Sequence, residues 1–572
     1  MRDVGYVAEE DGVLGVRATF KKRYITLAPV AGIVGLAFNL KDPNNLLKGN
    51  GSEGITVCLL ERGHPGLRLG DRHDPSSASF MNGTVEGENV FIPLDQIIGG
   101  RERAGFGWNM LMDCLAEGRG ISLPAMSVAA SKMTSSTVGA YARIRKQFKV
   151  PLAELEGVQE HLASVGGSTL VVTSAQALMN SMLNGHEQPA VLSAVMKQQM
   201  TSRMRQNVND GMDVLGGAGI CHGPANFMAN PYMGIPISIT VEGANTLTRS
   251  LIIFGQGLTR SHPHLLDIIR AIQHGDDMKA RQNISAPAAF ESPSSRRGGF
   301  NKALGQIVQH GVTNSMRSFT RALTRSRWAG SDPAAHYASQ LDRLAAAFAY
   351  CSDVSLTMGG KIKFAEMLSG RYADVLSGLF LGYATLWYTS HHKHVKGLDK
   401  VTDYVMQRTL ADIEDSFFGI FENFPIAVLS LAMRGVAFPT GRCYKAPSDS
   451  LAQEVAQLVS TDTAVRELFK ENVFLSKDPM SRMALIDATL PKAVQADAIL
   501  RNLRREKREA TKDEQALIDE VEAAREIIIQ VDSFPGLGKE MLAGRDFSPE
   551  NRPALDDIYG VKPSAGTKRA AA

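Results

Sequence analysis

Apolar positions along the chain change their spacing near residue 104. Before it, short apolar runs such as ITVCLLE (55–61) and NVFIPL (89–94) alternate with turn clusters, DPNNLLKGNGSEG (42–54) among them. That spacing predicts β structure, with the turn cluster as a hairpin loop and not a calcium loop. The amino end reads as a strand, a turn at Glu10-Asp11-Gly12 and a second strand. From Phe106 the period lengthens. Val158, Leu162, Val165, Leu170, Val172 and Leu178 recur mainly at three- to five-residue steps, which predicts one helix over 158–183, and a similar pattern covers 189–215. A short apolar segment, IPISITVE (235–242), leads into a helix from about Thr246 to Gln256. Residues 275–300 lose all periodicity and read as a linker rich in Ser, Pro and Gly. Helical patterns resume over 301–560, and 561–572 reads as a disordered tail. The resulting fold class is α+β, mostly α, with regions 1–103 (β), 104–274 (helical) and 301–560 (helical).

Composition narrows the classes of function. The 572 residues are 44% hydrophobic and 21% charged, the balance of a folded globular protein. Their 62 basic and 59 acidic side chains leave a net charge of +3, no whole-chain field for nucleic acid. Five scattered cysteines form no CxxC pair, which argues for a reducing compartment and against zinc, and no signal peptide opens the chain. VLSGLFLGYATLWY (375–388) and FPIAVLSLAMRGVAF (424–438) fall short of the ~20 residues a spanning helix needs. Both are expected as buried core helices, with a surface-seated role left open. RNLRREKRE (501–509) is expected as a solvated helix face, and HHKH (391–394) as surface histidines at a helix end. No metal site is expected. GGAG (216–219) ends a helix and reads as a C-cap turn, the wrong context for a dinucleotide fingerprint. Glu242 closes an apolar run ahead of Gly243 and a new helix. A carboxylate placed there can lose water, gain pKa and become a general base, although the pattern by itself favours a capping or solvent-facing Glu.

Five segments, KRYIT (22–26), EGRGISLP (117–124), YARIRKQF (141–148), DVLGGAG (213–219) and ITVEGANTLTR (239–249), stand in the order found in acyl-CoA dehydrogenases. The chain resembles that family over about 1–262. Beyond that it looks like the large bacterial fatty-acyl-CoA dehydrogenases of β-oxidation, which carry an extra C-terminal helical domain. The resemblance implies FAD-dependent α,β-dehydrogenation of an acyl-CoA, of long chain in that subgroup, to the trans-2-enoyl-CoA. Glu242 falls on the family's base. Arg119, Gly243 and Ala244 fall on the substrate side, the Ala244 N–H facing the thioester oxygen. Tyr24 and Thr26 fall on the flavin-ring contacts, with Tyr24 where many relatives carry Trp. Arg145 and Phe148 lie in the segment that reaches a neighbouring subunit's flavin pyrophosphate, Gly216 and Gly217 lie near the adenine, and Asn245 and Thr246 lie in the cofactor-facing loop. The implied partners are an electron-transfer flavoprotein and a second copy of the chain, with peripheral attachment to a membrane also open. The implied location is the cytoplasm, or the cytoplasmic face of the bacterial inner membrane. The family's β domain, barrel-like in shape, is expected to be partial here, with the chain starting inside it. Two alternatives are a non-catalytic helical or membrane-docking fragment and an acyl-CoA oxidase that passes electrons to oxygen.

Overall fold

The computed structural model describes residues 3–534 except 50, 77, 79, 188, 259–261, 264, 266–292, 325–331 and 480. The amino-terminal region forms one six-stranded sheet. Its strands are β1 (Val4–Glu10), β2 (Val13–Thr26), β3 (Ile33–Lys41), β4 (Gly54–Glu61), β5 (Leu67–Leu69) and β6 (Asn82–Pro93), in the order β4-β3-β1-β2-β6-β5. Asp11 and Gly12 both take positive φ (50° and 76°), the turn that matches the twist of paired strands, and so set the register Glu10↔Val13 through Val4↔Thr19. β1 and β3 run parallel, while β3–β4, β2–β6 and β5–β6 are antiparallel. Alternate residues of β3 (Val34, Leu36, Phe38, Leu40) are buried, as the two-residue period of a half-covered strand requires. These side chains join Val16, Phe20, Leu60 and Ile92 in a separate small core. The sheet is open among the described residues, so the barrel-like expectation is met only by its strands and not by closure. The 42–54 cluster is the β3–β4 hairpin loop, as expected.

The longer period becomes helix at Gly107. α1 (Gly107–Met133) runs through a π-helical turn, Thr134–Val138, into α2 (Gly139–Ile144). α3 (Glu156–Asn184) and α4 (Ala190–Leu215) contain the two predicted helical stretches. α3 is the one described helix long and apolar enough to cross a membrane, yet 83% of its apolar window is buried within the fold, so it is the central core helix. The polar Thr169 on it is tolerated because its hydroxyl donates to the Val165 and Ser131 carbonyls (2.7 and 3.1 Å). A short turn of helix, α5 (Gly217–Ile220), follows the Gly216 cap (φ 60°). The apolar segment at 235 proves to be the end of a helix, α6 (Ala229–Thr240). α7 (Asn245–Leu247) and a second π-helical stretch, Thr248–Gln256, fill the next predicted helix.

The carboxy-terminal half is helical throughout: α8 (Pro293–Thr324), α9 (Pro333–Ser355), α10 (Glu366–His391), α11 (Leu398–Asn423), α12 (Ala427–Ala437), α13 (Asp449–Ser460), α14 (Ala464–Lys470), α15 (Arg482–Glu506) and α16 (Lys512–Ile528). Two expectations are corrected here. α8 begins inside the segment expected to be linker, because Pro293 is tolerated in a first helical turn where no N–H partner is needed; 275–292 and the tail lie outside the described residues. α12 is not a core helix. Its eleven residues bury one stripe only, Met433 and Ala437, and leave Val428 78% and Leu431 72% exposed. The other stretch, 375–388, lies in α10 within the core. HHKH sits at the exposed carboxyl end of α10, and 501–509 is a mostly exposed helix end, both as expected. The helical regions are not two cores. One continuous cluster runs from Val138 through Leu170, Met196, Phe254, Tyr372 and Val405 to Ile528. Arg466 of α14, 3% exposed, reaches across to the Ser136 carbonyl (3.3 Å), inside the π-helical turn where the ordinary helical ladder is broken.

Candidate active site

The chain reverses between α6 and α7 through Val241, Glu242, Gly243 and Ala244. Glu242 and Gly243 both take the left-handed conformation, φ 54° and 92°. That is ordinary for glycine and costs a residue with a Cβ about 1 kcal/mol or more, so something must hold Glu242 there. Two buried cations do. Arg119 of α1 donates from Nε to the Glu242 carbonyl (2.8 Å). Lys197 of α4, fully buried, donates from Nζ to the Gly243 carbonyl (2.7 Å), the Ile239 carbonyl (3.1 Å) and Asn245 Oδ1 (2.8 Å). Its three donors thus meet three acceptors. The Asn245 amide donates in turn to Thr201 Oγ1 (2.9 Å) and Ser202 Oγ (3.0 Å), which fixes the first residue of α7 to α4.

With its backbone fixed from behind, the Glu242 side chain turns toward α1, where a Cβ on Gly118 would lie 3.5 Å from Oε1. Oε2 is buried and carries no hydrogen-bond partner among the described residues. Burial pushes the carboxyl above its ordinary range, and Arg119 and Lys197 only partly oppose it. Burial likewise lowers Arg119, against the pull of Glu242, and brings Lys197 down to about 8. A carboxylate with raised pKa and one unsatisfied oxygen is equipped to take a proton from a weak carbon acid.

The family model described as "Acyl-CoA dehydrogenase, C-terminal domain" matches residues 105–255, and "Acyl-CoA dehydrogenase, C-terminal, bacterial type" matches 259–528. The chain belongs to the acyl-CoA dehydrogenase family. Among curated relatives, Protein HemX of Proteus mirabilis is 45% identical over 104 residues, 18% of this chain and 61% of that protein. Cyclohex-1-ene-1-carbonyl-CoA dehydrogenase of Geobacter metallireducens is 30% identical over 238 residues, 40% of this chain and 58% of its own. A probable short/branched chain specific acyl-CoA dehydrogenase of Dictyostelium discoideum is 29% identical, with 37% and 49% covered. The chain thus spans about half to three fifths of these relatives. The crystal structure of an acyl-CoA dehydrogenase complexed with FAD from Bacillus anthracis shares the fold, with TM-score 0.59 and 15% identity over 80% of this chain and 72% of that one.

Of the residues that the acyl-CoA dehydrogenase motifs single out, the structure gathers Glu242, Gly243, Ala244, Asn245 and Arg119 around one loop. Ala244 and Thr246 are exposed on its outer side. The others lie on separate elements. Tyr24 and Thr26 are exposed on one face of β2, Tyr24 78% exposed with its ring edge-on to His73 at 5.7 Å. Arg145 follows α2, and Phe148, 86% exposed, tips the small hairpin beyond it. Gly216 and Gly217 stand at the far end of α4, 19 residues past Lys197 and about 28 Å along the helix. The carboxy-terminal helices anchor that hairpin: Arg525 donates to the Ile144 carbonyl (2.6 Å), and Lys146 pairs with Asp497 (3.0 Å). They anchor the Glu242 loop as well. Arg249 holds Asp374 of α10 bidentately, its Nε at 2.7 Å from Oδ1. Phe254 stacks on Tyr372 at 4.3 Å. Sequence reasoning missed Lys197, Arg249 and Asp374. Lys197 did leave a signal, a cation on the apolar face of α4 in register with Ser193, Met200 and Met204.

Proposed function

We propose that this chain is the catalytic and carboxy-terminal part of an FAD-dependent acyl-CoA dehydrogenase that converts a fatty acyl-CoA to its trans-2-enoyl-CoA. The observation that carries the reading is Glu242, held in a left-handed turn by Arg119 and Lys197 with Oε2 buried and unpartnered. In this reading Glu242 removes the α-proton, while the N–H of Ala244, the cap residue of α7, steadies the thioester oxygen as charge develops there. Bound FAD would supply the acceptor for the β-hydride, chemistry that side chains lack. The residues present fit it: an exposed aromatic and hydroxyl on β2 (Tyr24, Thr26), a guanidinium at Arg145 suited to a pyrophosphate, and the open surface at Gly216 and Gly217 where a Cβ would meet nothing within 4 Å. Their distance from the base along α4 favours two copies of the chain sharing flavins, hence at least a dimer. A long acyl chain is the substrate the subgroup resemblance supports, and an electron-transfer flavoprotein is the proposed oxidant of the flavin.

A lipid surface is the further proposed partner, on the cytoplasmic side of the inner membrane. α8 and α12 support it. α8 exposes Val308, Val312, Met316, Phe319 and Leu323 along one stripe, and it carries five basic residues and no acidic one. α12 exposes Val428 and Leu431 and carries Arg434 as its one charge.

Anaerobic mixing of the flavin-loaded full-length enzyme with acyl-CoAs of graded length tests the reaction. Long chains are expected to bleach the flavin fastest. Glu242→Gln is expected to keep the colour and slow bleaching by about 10²–10⁴-fold. Unchanged bleaching in that variant removes Glu242 from the role of base, and peroxide formed in air as fast as the flavoprotein is reduced makes the enzyme an oxidase.

A further inference from the structure

Three residues far apart in sequence meet where the catalytic helices hand over to the carboxy-terminal ones. His262 follows the second π-helical stretch, His310 lies on α8 and Asp353 on α9. Both imidazoles converge on one carboxylate oxygen: His262 Nε2 is 3.0 Å and His310 Nδ1 3.1 Å from Asp353 Oδ1. The rings lie edge to face, centroids 5.3 Å apart. The other carboxylate oxygen, Oδ2, accepts from Asn314 Nδ2 (2.8 Å), one turn along α8 from His310 and itself buried. The side chains of His262 and Asp353 are 4% and 7% exposed and that of His310 31%, so the cluster is buried on one side and open to water at His310.

We propose that His262 Nε2, His310 Nδ1 and Asp353 Oδ1 form a zinc site. Four physical features carry this. Two imidazoles with one carboxylate are a donor set that zinc takes, leaving a fourth position for water. Ligand atoms around a tetrahedral zinc with bonds of about 2.0–2.1 Å stand about 3.3 Å apart, and the observed separations of 3.0 and 3.1 Å to the shared oxygen need only a small opening of the cluster. All three donor atoms already lie within 4.8 Å of one another. Asn314 holds Oδ2, which orients the carboxylate with Oδ1 toward the rings; the same amide nitrogen lies 3.1 Å from His310 Nδ1 and keeps only its bond to Oδ2 once that nitrogen takes the ion.

The ion would clip three segments together: the exit of the catalytic domain, α8 and α9. It lies apart from the Glu242 loop. Sequence spacing concealed it, because the ligands are 48 and 43 residues apart, with no short motif such as paired cysteines or an HExxH.

The experiment uses the flavin-loaded full-length protein, stripped with chelator and dialysed against zinc or cobalt(II). Wild type is expected to retain one equivalent of metal, to melt at higher temperature than the stripped form, and to give the visible absorption of tetrahedral cobalt. His310→Gln and Asp353→Asn are expected to lose that absorption. Asn314→Ala, which keeps all three ligands, is expected to bind about 10–100-fold more weakly. The His391→Gln/His394→Gln double variant removes the exposed histidines at the end of α10 and is expected to bind as wild type does. No stoichiometric metal in wild type, or uptake that survives Asp353→Asn and disappears with the α10 histidines, overturns the site and leaves a hydrogen-bonded His–Asp–His network.

Discussion

Lys197 and Glu242 form a matched pair at the residue scale, each shifted by burial toward its neutral form. The Lys197 ammonium has three protons for three acceptors on the catalytic loop, and burial brings its pKa to about 8. Once the proton is lost, one acceptor goes without. Activity is therefore expected to fall as pH rises through about 8, and stability should not fall with it. Unfolded lysine keeps its proton to 10.5, so between about 8 and 10.5 the unfolded state binds more protons and folding becomes more favourable with pH. A pH–rate profile set beside a pH–melting profile separates the two. Lys197→Met is expected to abolish the alkaline limb and to cost about 3 kcal/mol, since buried carbonyls lose their donor. Glu242 carries the opposite sign. Its raised pKa means that the folded state holds the proton to higher pH than the unfolded chain, so stability falls as pH rises through its ionisation. Glu242→Gln should accordingly melt at or above the wild-type temperature while losing turnover.

At the scale of elements, the π-helical stretch Thr248–Gln256 carries the catalytic loop into the grip of α10. Arg249 forks onto Asp374, and Gly370 lies so close beneath the guanidinium that a Cβ there would stand 2.5 Å from one of its nitrogens. Asp374→Asn weakens a charge-assisted, half-buried pair, for which about 1–2 kcal/mol of stability is expected to go. The more telling readout is kinetic. If α10 positions the loop, both Asp374→Asn and Gly370→Ala lower kcat while the flavin spectrum stays normal. Loss of stability with kcat intact would make the contact a scaffold only. The long helices were legible because a repeat of three to four apolar residues is what α3 and α4 need to bury a face. The short α12 misled because hydrophobicity records what a side chain avoids and not whether a neighbour covers it.

At the scale of the whole molecule, one core unites the catalytic helices with the carboxy-terminal ones, and the sheet has a core of its own. The appended half thus supports the helices around the Glu242 loop. It reaches the Glu242 loop through α10, the Arg145 hairpin through α15 and α16, and the first π-helical turn through Arg466. On its outer side the apolar stripe of α8 and the exposed face of α12 have the length and charge of a surface-lying amphipathic pair. Co-sedimentation with anionic vesicles is the measurement. Wild type is expected to bind, and binding should weaken with salt and drop for Val312→Glu and Leu431→Glu, both placed away from the catalytic loop. Equal binding to neutral vesicles, or none to either, counts against a lipid surface.

The one-dimensional pattern determined the strands of the sheet and the long helices α3 and α4, because both periods are local properties of neighbouring residues; it missed the start of α8 and the helix α6. It also marked the Glu242 loop, because a glutamate, a glycine and a helix start are adjacent in the chain. What the tertiary structure alone decided is the environment that buries Glu242 Oε2 and raises its carboxyl above the ordinary range. Arg119, Lys197, Asp374 and the His262–His310–Asp353 cluster come from helices tens to hundreds of residues apart, and burial and convergence of charge are properties of the packed fold.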